Sequence, residues 1–451
     1  MPATDSENRS SSRLAFLALS LALLGAAAMV YYHLALFMPH VLEVSSTRNL
    51  AGRYAFGDDF YPVWLTSREW LRERRDPYSA EVTRDIQQGL FGRPLDALIA
   101  TDPLTDYRTF AYPAFTDLLF WPAAEFPFPV VRIVVVASLG ALTLASVLLW
   151  MQALSWRVNW IWVTVVVVLT LASYPVLEGL YAGQLGLLVG FLLAASMLAL
   201  RRGRFLLSGI LMAFTTIKPQ MAALVMLYLL VWTSHDWRAR GRFCIGLFSA
   251  VILLAGTALV VWPQWIQSWI HVVLGYHRYA RPPLVGEVLA EPLGTNAAGP
   301  ATLLMIALLL IAAMMLAWRN RAAATESPEF WFTLSVLLAI TSVTLISALA
   351  VYDHVILLPG IFLLASRWEA WTSTWPRKLL LALGVAVLLW PWMAAPIVIA
   401  LRPLLTDQQF YSKAVLGLPL RTAAAFPFVV LGLLALAMRH APKGNLADAS
   451  A

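Results

Sequence analysis

Long apolar runs broken by short basic segments set the pattern of this chain. A membrane span needs about 20 apolar residues, within a wide range. Twelve runs read as spans: Leu14–Phe37, Val130–Leu154, Trp160–Leu177, Leu185–Leu200, Phe205–Ile217, Met221–Trp232, Phe243–Val261, Ala301–Trp318, Trp331–Ala350, Val355–Ala365, Leu379–Ala400 and Ala423–Met438. The pattern predicts an all-α polytopic membrane protein. An even number of spans puts both termini on one side. Arg157, Arg201-Arg202-Arg204, Arg238-Arg240-Arg242, Arg319-Arg321, Arg367-Arg377-Lys378 and Arg439-Lys443 fall at alternate loops, on the side of the amino terminus. Short loops rich in Arg and Lys stay cytoplasmic, so both termini are expected in the cytoplasm. The run at Leu14 is too long for a signal-peptide core, which spans about 7–15 residues, and reads as an uncleaved first helix.

Two runs are interrupted. Lys218-Pro219-Gln220 cuts the stretch Phe205–Trp232, and Pro219 disfavours helix before it. Two short helices meeting at a break near the outer side are expected there. Tyr352-Asp353-His354 cuts Trp331–Ala365 in the same way. Residues 1–13 and 441–451 read as polar cytoplasmic tails, and 14–440 as a single transmembrane domain. Within it, 38–129 forms a long extracytoplasmic first loop. In that loop Asp58-Asp59-Phe60-Tyr61-Pro62-Val63-Trp64 leads into mixed apolar and charged positions, which predict a helix lying in the interface as far as Arg75-Asp76-Pro77. A polar helix over Glu81–Leu90 and a short apolar segment from Phe115 to Trp121 follow. Ordered loops of this length are usually functional. A second outer loop, Trp262–Pro300, holds His271, His277, Arg281, Glu287 and Glu291. A third, Leu401–Arg421, holds Asp407 and Lys413. All three open on one face.

Composition agrees with a membrane solvent: 60% of the 451 residues are hydrophobic and 13% charged, against about 25% charged in an average soluble domain. The net charge of +7 sits between apolar runs as a topology signal and does not point to nucleic acid. The lone Cys244 excludes a disulfide framework. No metal spacing, phosphate loop or dinucleotide fingerprint is present.

The candidate chemistry lies at the loops and breaks. Asp58 and Asp59 read either as helix caps or as a general base that takes a proton from a sugar hydroxyl. Lys218 is one of only four Lys residues, and an ionisable group in an apolar hairpin is a functional hypothesis by default; snorkelling to the surface is the alternative. Asp353-His354 either binds substrate or assists a proton transfer, or is simply a polar pair at a wet helix end. Glu178, Tyr181 and Gln184 flank an outer turn, and Gln184 either donates to a sugar or a phosphate or stabilises the turn.

These residues resemble glycosyltransferase family 87. Asp59-Phe60 with Tyr61 and Trp64, Asp76-Pro77-Tyr78, Tyr112-Pro113, Gly183-Gln184, Arg202-Gly203-Arg204, Ser208-Gly209, Ile217-Lys218-Pro219-Gln220 and Tyr352-Asp353-His354 follow the family's order over roughly residues 50–365. The family comprises membrane enzymes of the GT-C class, including polyprenyl-phosphate-mannose-dependent α-mannosyltransferases. The resemblance implies a GT-C-like fold in the plasma (inner) membrane with its active site on the extracytoplasmic face. It implies transfer of a hexose or pentose, mannose first, from a polyprenyl-phosphate sugar to a glycolipid or glycan, without cofactor or metal. Asp59 would be the base, with Asp58 next in line. Lys218 would neutralise the leaving phosphate, and Gln184, His354, Asp353, Tyr61 and Gln220 would complete the substrate-binding set. The main rival is a multi-pass transporter or lipid-linked-sugar flippase, because interrupted hairpins also mark transporters. The two breaks share no matching residues, and the long acidic first loop suits an enzyme better.

Overall fold

The computed structural model describes residues 5–47, 50, 52–96, 98–99, 102, 107–279, 295–347, 350–368 and 374–438. Its described residues are helical with connecting turns, and no strand forms among them. In chain order the helices are α1 (Asp5–Tyr31), α2 (Met38–Ser46), α3 (Tyr61–Leu71), α4 (Ala80–Phe91), α5 (Phe115–Phe120), α6 (Phe128–Ala153), α7 (Trp160–Leu171), α8 (Tyr174–Ala182), α9 (Gly186–Arg201), α10 (Phe205–Phe214) and α11 (Ala223–His235). They continue with α12 (Trp237–Arg240), α13 (Arg242–Val261), α14 (Trp265–Tyr279), α15 (Thr295–Arg319), α16 (Pro328–Thr344), α17 (Leu358–Ser366), α18 (Trp375–Leu401), α19 (Asp407–Phe410) and α20 (Phe426–Met438).

Each of the twelve predicted runs falls on these helices, but not all are long enough to cross a bilayer. Among the described residues, six helices meet that length and hydropathy, or seven if α7 and α8, bent by 55° at Ser173, count as one span. The other five apolar helices, of 10–17 residues, are cut short by the breaks. At 1.5 Å per residue they fall well below the ~30 Å of a hydrocarbon core. The long helices expose Ile133, Val134, Ile252, Leu253, Leu303, Met314 and Met315. Apolar surface that extensive requires lipid. The short α16 is the reverse: every residue from Phe330 to Thr344 except Phe332 is buried, as suits a helix surrounded by protein on all sides. Ser327 caps it through Phe330 N, with Pro328 in its first turn. Helices α10 and α13 approach closely because Gly209 faces the backbone of Phe243 and Gly246 faces that of Leu206. Small residues are what permit such packing between membrane helices.

Two predicted boundaries move. Helix begins at Asp5, inside the expected amino-terminal tail, and the first apolar run continues as helix to Ser46. A π-helical turn, Tyr32–Phe37, interrupts it between α1 and α2. The carboxy-terminal tail, and Arg281, Glu287 and Glu291 of the second outer loop, lie outside the described residues.

The helices of the first loop pack into the same hydrophobic core as the apolar helices. The face of α3 carrying Val63, Trp64, Thr66, Ser67 and Trp70 is buried against α5 and the turn at Trp121–Glu125. Trp64 Nε1 donates to Phe126 O at 3.0 Å. Ser79 caps α4, which ends at Gly92. Arg75 ties α3 to α4 through Glu69 at 2.7 Å and Asp85 at 2.8 Å. Under α3, the Asp117 carboxyl accepts from Thr66 Oγ1 at 2.9 Å and Ser67 Oγ at 3.3 Å. Its complete burial pushes it well above its ordinary value of 3.8, because a low-dielectric setting disfavours the charged form.

Candidate functional site

The site begins at the end of α8. Gly183 adopts φ +72°, and a Cβ there would lie 3.1 Å from Phe60 Cβ. Glycine is needed both for the left-handed turn and for this approach. The turn is closed by Gln184 N donating to Gly179 O at 2.8 Å. The last carbonyls of a helix have no partner inside it. Here those of Tyr181 and Ala182 accept Gly57 N at 2.8 Å and Asp59 N at 3.0 Å. The acidic turn of the first loop is thereby fastened to the end of α8, beside Gln184.

From Asp59 a chain of polar contacts runs through the protein interior. Gln184 Nε2 donates to Asp59 Oδ2 at 2.5 Å. Lys218 Nζ donates to Gln184 Oε1 at 2.8 Å and to both Asp353 oxygens, at 2.8 and 3.1 Å. The ammonium also lies 4.8 Å from the centre of the Tyr352 ring, within cation–π range. Lys218 stands between two 3-10 turns, Thr215–Ile217 and Pro219–Met221, at the break between α10 and α11. Asp353 sits on another 3-10 turn, Val351–Leu357, between α16 and α17. Gly186 makes room for it, since a Cβ there would overlap Asp353 Oδ1.

On the other side, Arg108 clamps both acids of the loop. Its Nη1 pairs with Asp59 Oδ1 at 2.5 Å and its Nη2 with Asp58 Oδ2 at 3.0 Å. Asp58 Oδ2 also accepts Tyr54 N at 3.0 Å. Both Arg108 and Tyr54 hold positive φ, +52° and +63°. Such strain in non-glycine residues gathers at functional sites. The charges thus alternate: Asp58, Arg108, Asp59, then Lys218 through Gln184, then Asp353. The two acids differ in access. The Asp58 side chain is 3% exposed and that of Asp59 19%.

Five of the sequence-derived site residues, Asp58, Asp59, Gln184, Lys218 and Asp353, therefore meet in one network drawn from four separate segments. Three do not join it. His354 is buried, but neither ring nitrogen has a hydrogen-bond partner among the described residues. Gln220 is exposed beside the break. Tyr61 packs its ring on Trp64 and Phe128, at 5.4 and 5.0 Å, with its hydroxyl against Gly89 of α4. It packs against the main hydrophobic core. The reason is helical direction: Tyr61 opens α3 and faces α4, whereas Asp59 precedes the helix and faces α8. Arg108 was not legible in the sequence, being one of many Arg residues in a polar stretch without periodicity.

Among the described residues, helices of membrane-crossing length stand beside a buried network of alternating charges that the first loop closes on one side, an arrangement that fits a membrane protein. The family model of glycosyltransferase family 87 matches residues 110–348. That is more than half of the chain, and the chain belongs to this family of membrane glycosyltransferases. The matched stretch contains Glu178, Gln184 and Lys218; Asp58, Asp59 and Arg108 precede it and Asp353 follows it. No curated protein and no solved structure matches the chain.

Proposed function

We propose that the protein transfers a hexose, mannose first among the candidates, from a polyprenyl-phosphate sugar to a glycolipid or glycan acceptor on the extracytoplasmic face of the plasma membrane. The observation that carries this reading is the hydrogen-bonded line from Asp59 through Gln184 to Lys218. It supports one reaction geometry. The acceptor oxygen attacks the anomeric carbon and its proton passes to the Asp59 carboxylate. The bond from that carbon to the lipid phosphate oxygen breaks, and the phosphate leaves toward Lys218.

Asp59 suits the base better than Asp58 because its side chain is the more accessible. Its two oxygens accept from Arg108 and Gln184, yet an ionised carboxylate has about four lone-pair sites, so a substrate hydroxyl still finds an acceptor there. Asp58 holds Tyr54 and Arg108 in their strained conformations. Lys218 has three N–H donors, and Gln184 and Asp353 occupy two directions. A fixed charge aimed at the leaving group, in a site poor in water, is commonly the largest catalytic contribution. Arg108 and Gln184 orient the base from both sides, which limits the reorganisation needed at reaction.

The test is transfer of labelled sugar by the purified protein in nanodiscs, from undecaprenyl-phosphate mannose, glucose and arabinose, to extracted membrane glycolipids. Transfer from at least one donor is expected. Complete inactivity across donors and acceptors, with the fold intact, would remove the lipid-phosphate donor from the account.

A further inference from the structure

An apolar groove opens on the outside of the bundle between α11, α15 and α16. It encloses about 370 Å³ and is lined by Leu224, Leu227 and Val231 from α11, Met314 and Trp318 from α15, and Leu337 from α16. Leu227, Met314, Met315 and Trp318 are exposed along it, so it faces the surroundings of the bundle. Ala313 and Ala317, one turn apart on α15, also line it and are buried; their small size leaves the space unfilled. From Leu224 to Val231 the groove follows α11 for about 10 Å, at 1.5 Å per residue.

One end of the groove is fixed and positively charged. Tyr228, within the groove, donates its hydroxyl to Asn320 O at 3.2 Å, and Trp232 Nε1 donates to Ala323 O at 2.8 Å. These bonds pin α11 to the turn after α15 and hold the walls apart. Arg321 lies 4.3 Å from the centre of the Trp318 ring and donates to Trp318 O at 2.7 Å. Arg240 lies 4.0 Å from the centre of the Trp232 ring and donates to Arg321 O at 3.1 Å. The hydrogen bonds of both guanidinium groups go to backbone carbonyls. Asp236 acts on Arg240 electrostatically, but its carboxyl caps α12. A guanidinium has five N–H donors, so both keep donors for a ligand. Trp318 is 62% exposed. A Trp at the end of a membrane-crossing helix belongs at headgroup level, which sets the guanidinium groups among headgroups and the groove in the hydrocarbon.

We infer that this groove binds an anionic glycerophospholipid, with one acyl chain between α11 and α15 and its phosphate at Arg321 beside Arg240. The ligand is amphiphilic because the site is: an apolar channel ends at positive charge. Basic side chains near a membrane surface favour anionic over zwitterionic lipids, and a guanidinium matches a phosphate with paired N–H groups. A prenyl chain whose phosphate sat at Lys218 would enter from the Leu224 end and leave these charges unused. The basic loops here are among those expected in the cytoplasm, so the lipid belongs to that leaflet. The site is independent of the sugar reaction.

The test uses the full-length protein, one copy per phosphatidylcholine nanodisc. Each disc carries a trace of phosphatidylglycerol or phosphatidylcholine with a diazirine in one acyl chain, and labelled peptides are mapped by mass spectrometry after illumination. The phosphatidylglycerol probe is expected to label peptides within Leu224–Val231 or Ala313–Trp318 at least about fivefold more than the phosphatidylcholine probe, the preference one basic side chain supplies near an anionic headgroup. Arg321→Gln should remove most of that preference, and Ala317→Leu, which narrows the groove, should lower labelling by the phosphatidylglycerol probe. Lys378→Gln, an exposed charge on α18, should change neither. Equal labelling by the two probes in wild type, or no label on either helix, would overturn the site. So would a preference undiminished in both groove variants. Displacement of the probe by undecaprenyl phosphate more readily than by unlabelled phosphatidylglycerol would overturn it in favour of the donor's chain, and loss of label in discs holding two copies would assign the groove to a second copy. The wild-type comparisons decide the matter whether or not a variant folds.

Discussion

Replacing Asp353 by Asn leaves the Lys218 ammonium buried without its counter-charge. The pair is a strong case for this test, because the two side chains are only 9% and 3% exposed and the contact is double, at 2.8 and 3.1 Å. Breaking a buried pair from one side costs about 3–5 kcal/mol, since a desolvated charge is left behind. What remains for Lys218 is two neutral amide oxygens, that of Gln184 and that of the substituted side chain, and the Tyr352 ring; none carries a compensating charge, and a cation–π contact offsets only about 0.5–2 kcal/mol. Removing both charges, as in Lys218→Met with Asp353→Leu, is often neutral or stabilising by about 1–4 kcal/mol. The expected order of stability is therefore double variant at or above wild type, with Asp353→Asn well below both. The single, buried Cys244 supplies the assay. It lies on α13, which packs on α10, the helix that leads to Lys218. Its reaction with a thiol dye reports the opening of that contact. With about 1.4 kcal/mol per factor of ten, Asp353→Asn should label roughly a hundredfold or more faster where opening is at equilibrium. Labelling of Asp353→Asn at the wild-type rate would refute the buried-charge argument. Equally fast labelling of the double variant would trace the cost to lost shape.

Three further outcomes follow from the same contacts. Gly186→Ala sets a methyl group against Asp353 Oδ1, so transfer should fall at least about tenfold, within the range given by small displacements of catalytic groups; unchanged turnover would mean that the 3-10 turn yields freely. Arg108→Gln should lower transfer and loosen the first loop, measured as faster proteolysis there, and Arg108→Lys should not rescue it because an ammonium cannot span two carboxylates as a guanidinium does; full rescue by Lys would reduce the role of Arg108 to charge alone. Burial raises the Asp117 carboxyl above 3.8, so the folded chain keeps a proton that the unfolded chain releases. Stability from this group is complete below about pH 4 and is lost as pH rises toward the folded value. Asp117→Asn should flatten that fall in an unfolding titration, and an unaltered slope would contradict it.

Much of the architecture was legible in the apolar runs, because lipid forces each span into a helix whose backbone is satisfied internally. The break at Lys218-Pro219 was legible for a local reason: a proline without a donor beside a charge. Asp353 was legible as a charge in an apolar zone. What brings them together was not, since Gln184 meets Lys218 only because Gly183 turns the chain back and Gly186 admits Asp353. The first loop's helices were readable from their amphipathic spacing, but the direction of Tyr61 was not, because it is fixed by packing on α4. Arg108 was missed because it has no pattern around it. Of the twelve runs, six or seven correspond among the described residues to helices of full crossing length, because breaks such as the one at Lys218-Pro219 shorten helices without changing the apolar composition from which the runs were read.

The most direct measurement is sugar transfer by Asp59→Asn and Asp58→Asn beside wild type at matched expression and fold. General-base catalysis contributes roughly 10²–10⁴-fold, and the account predicts a loss of that size in Asp59→Asn, with Asp58→Asn losing less. Equal activity in Asp59→Asn and wild type would contradict it and leave the network without its base.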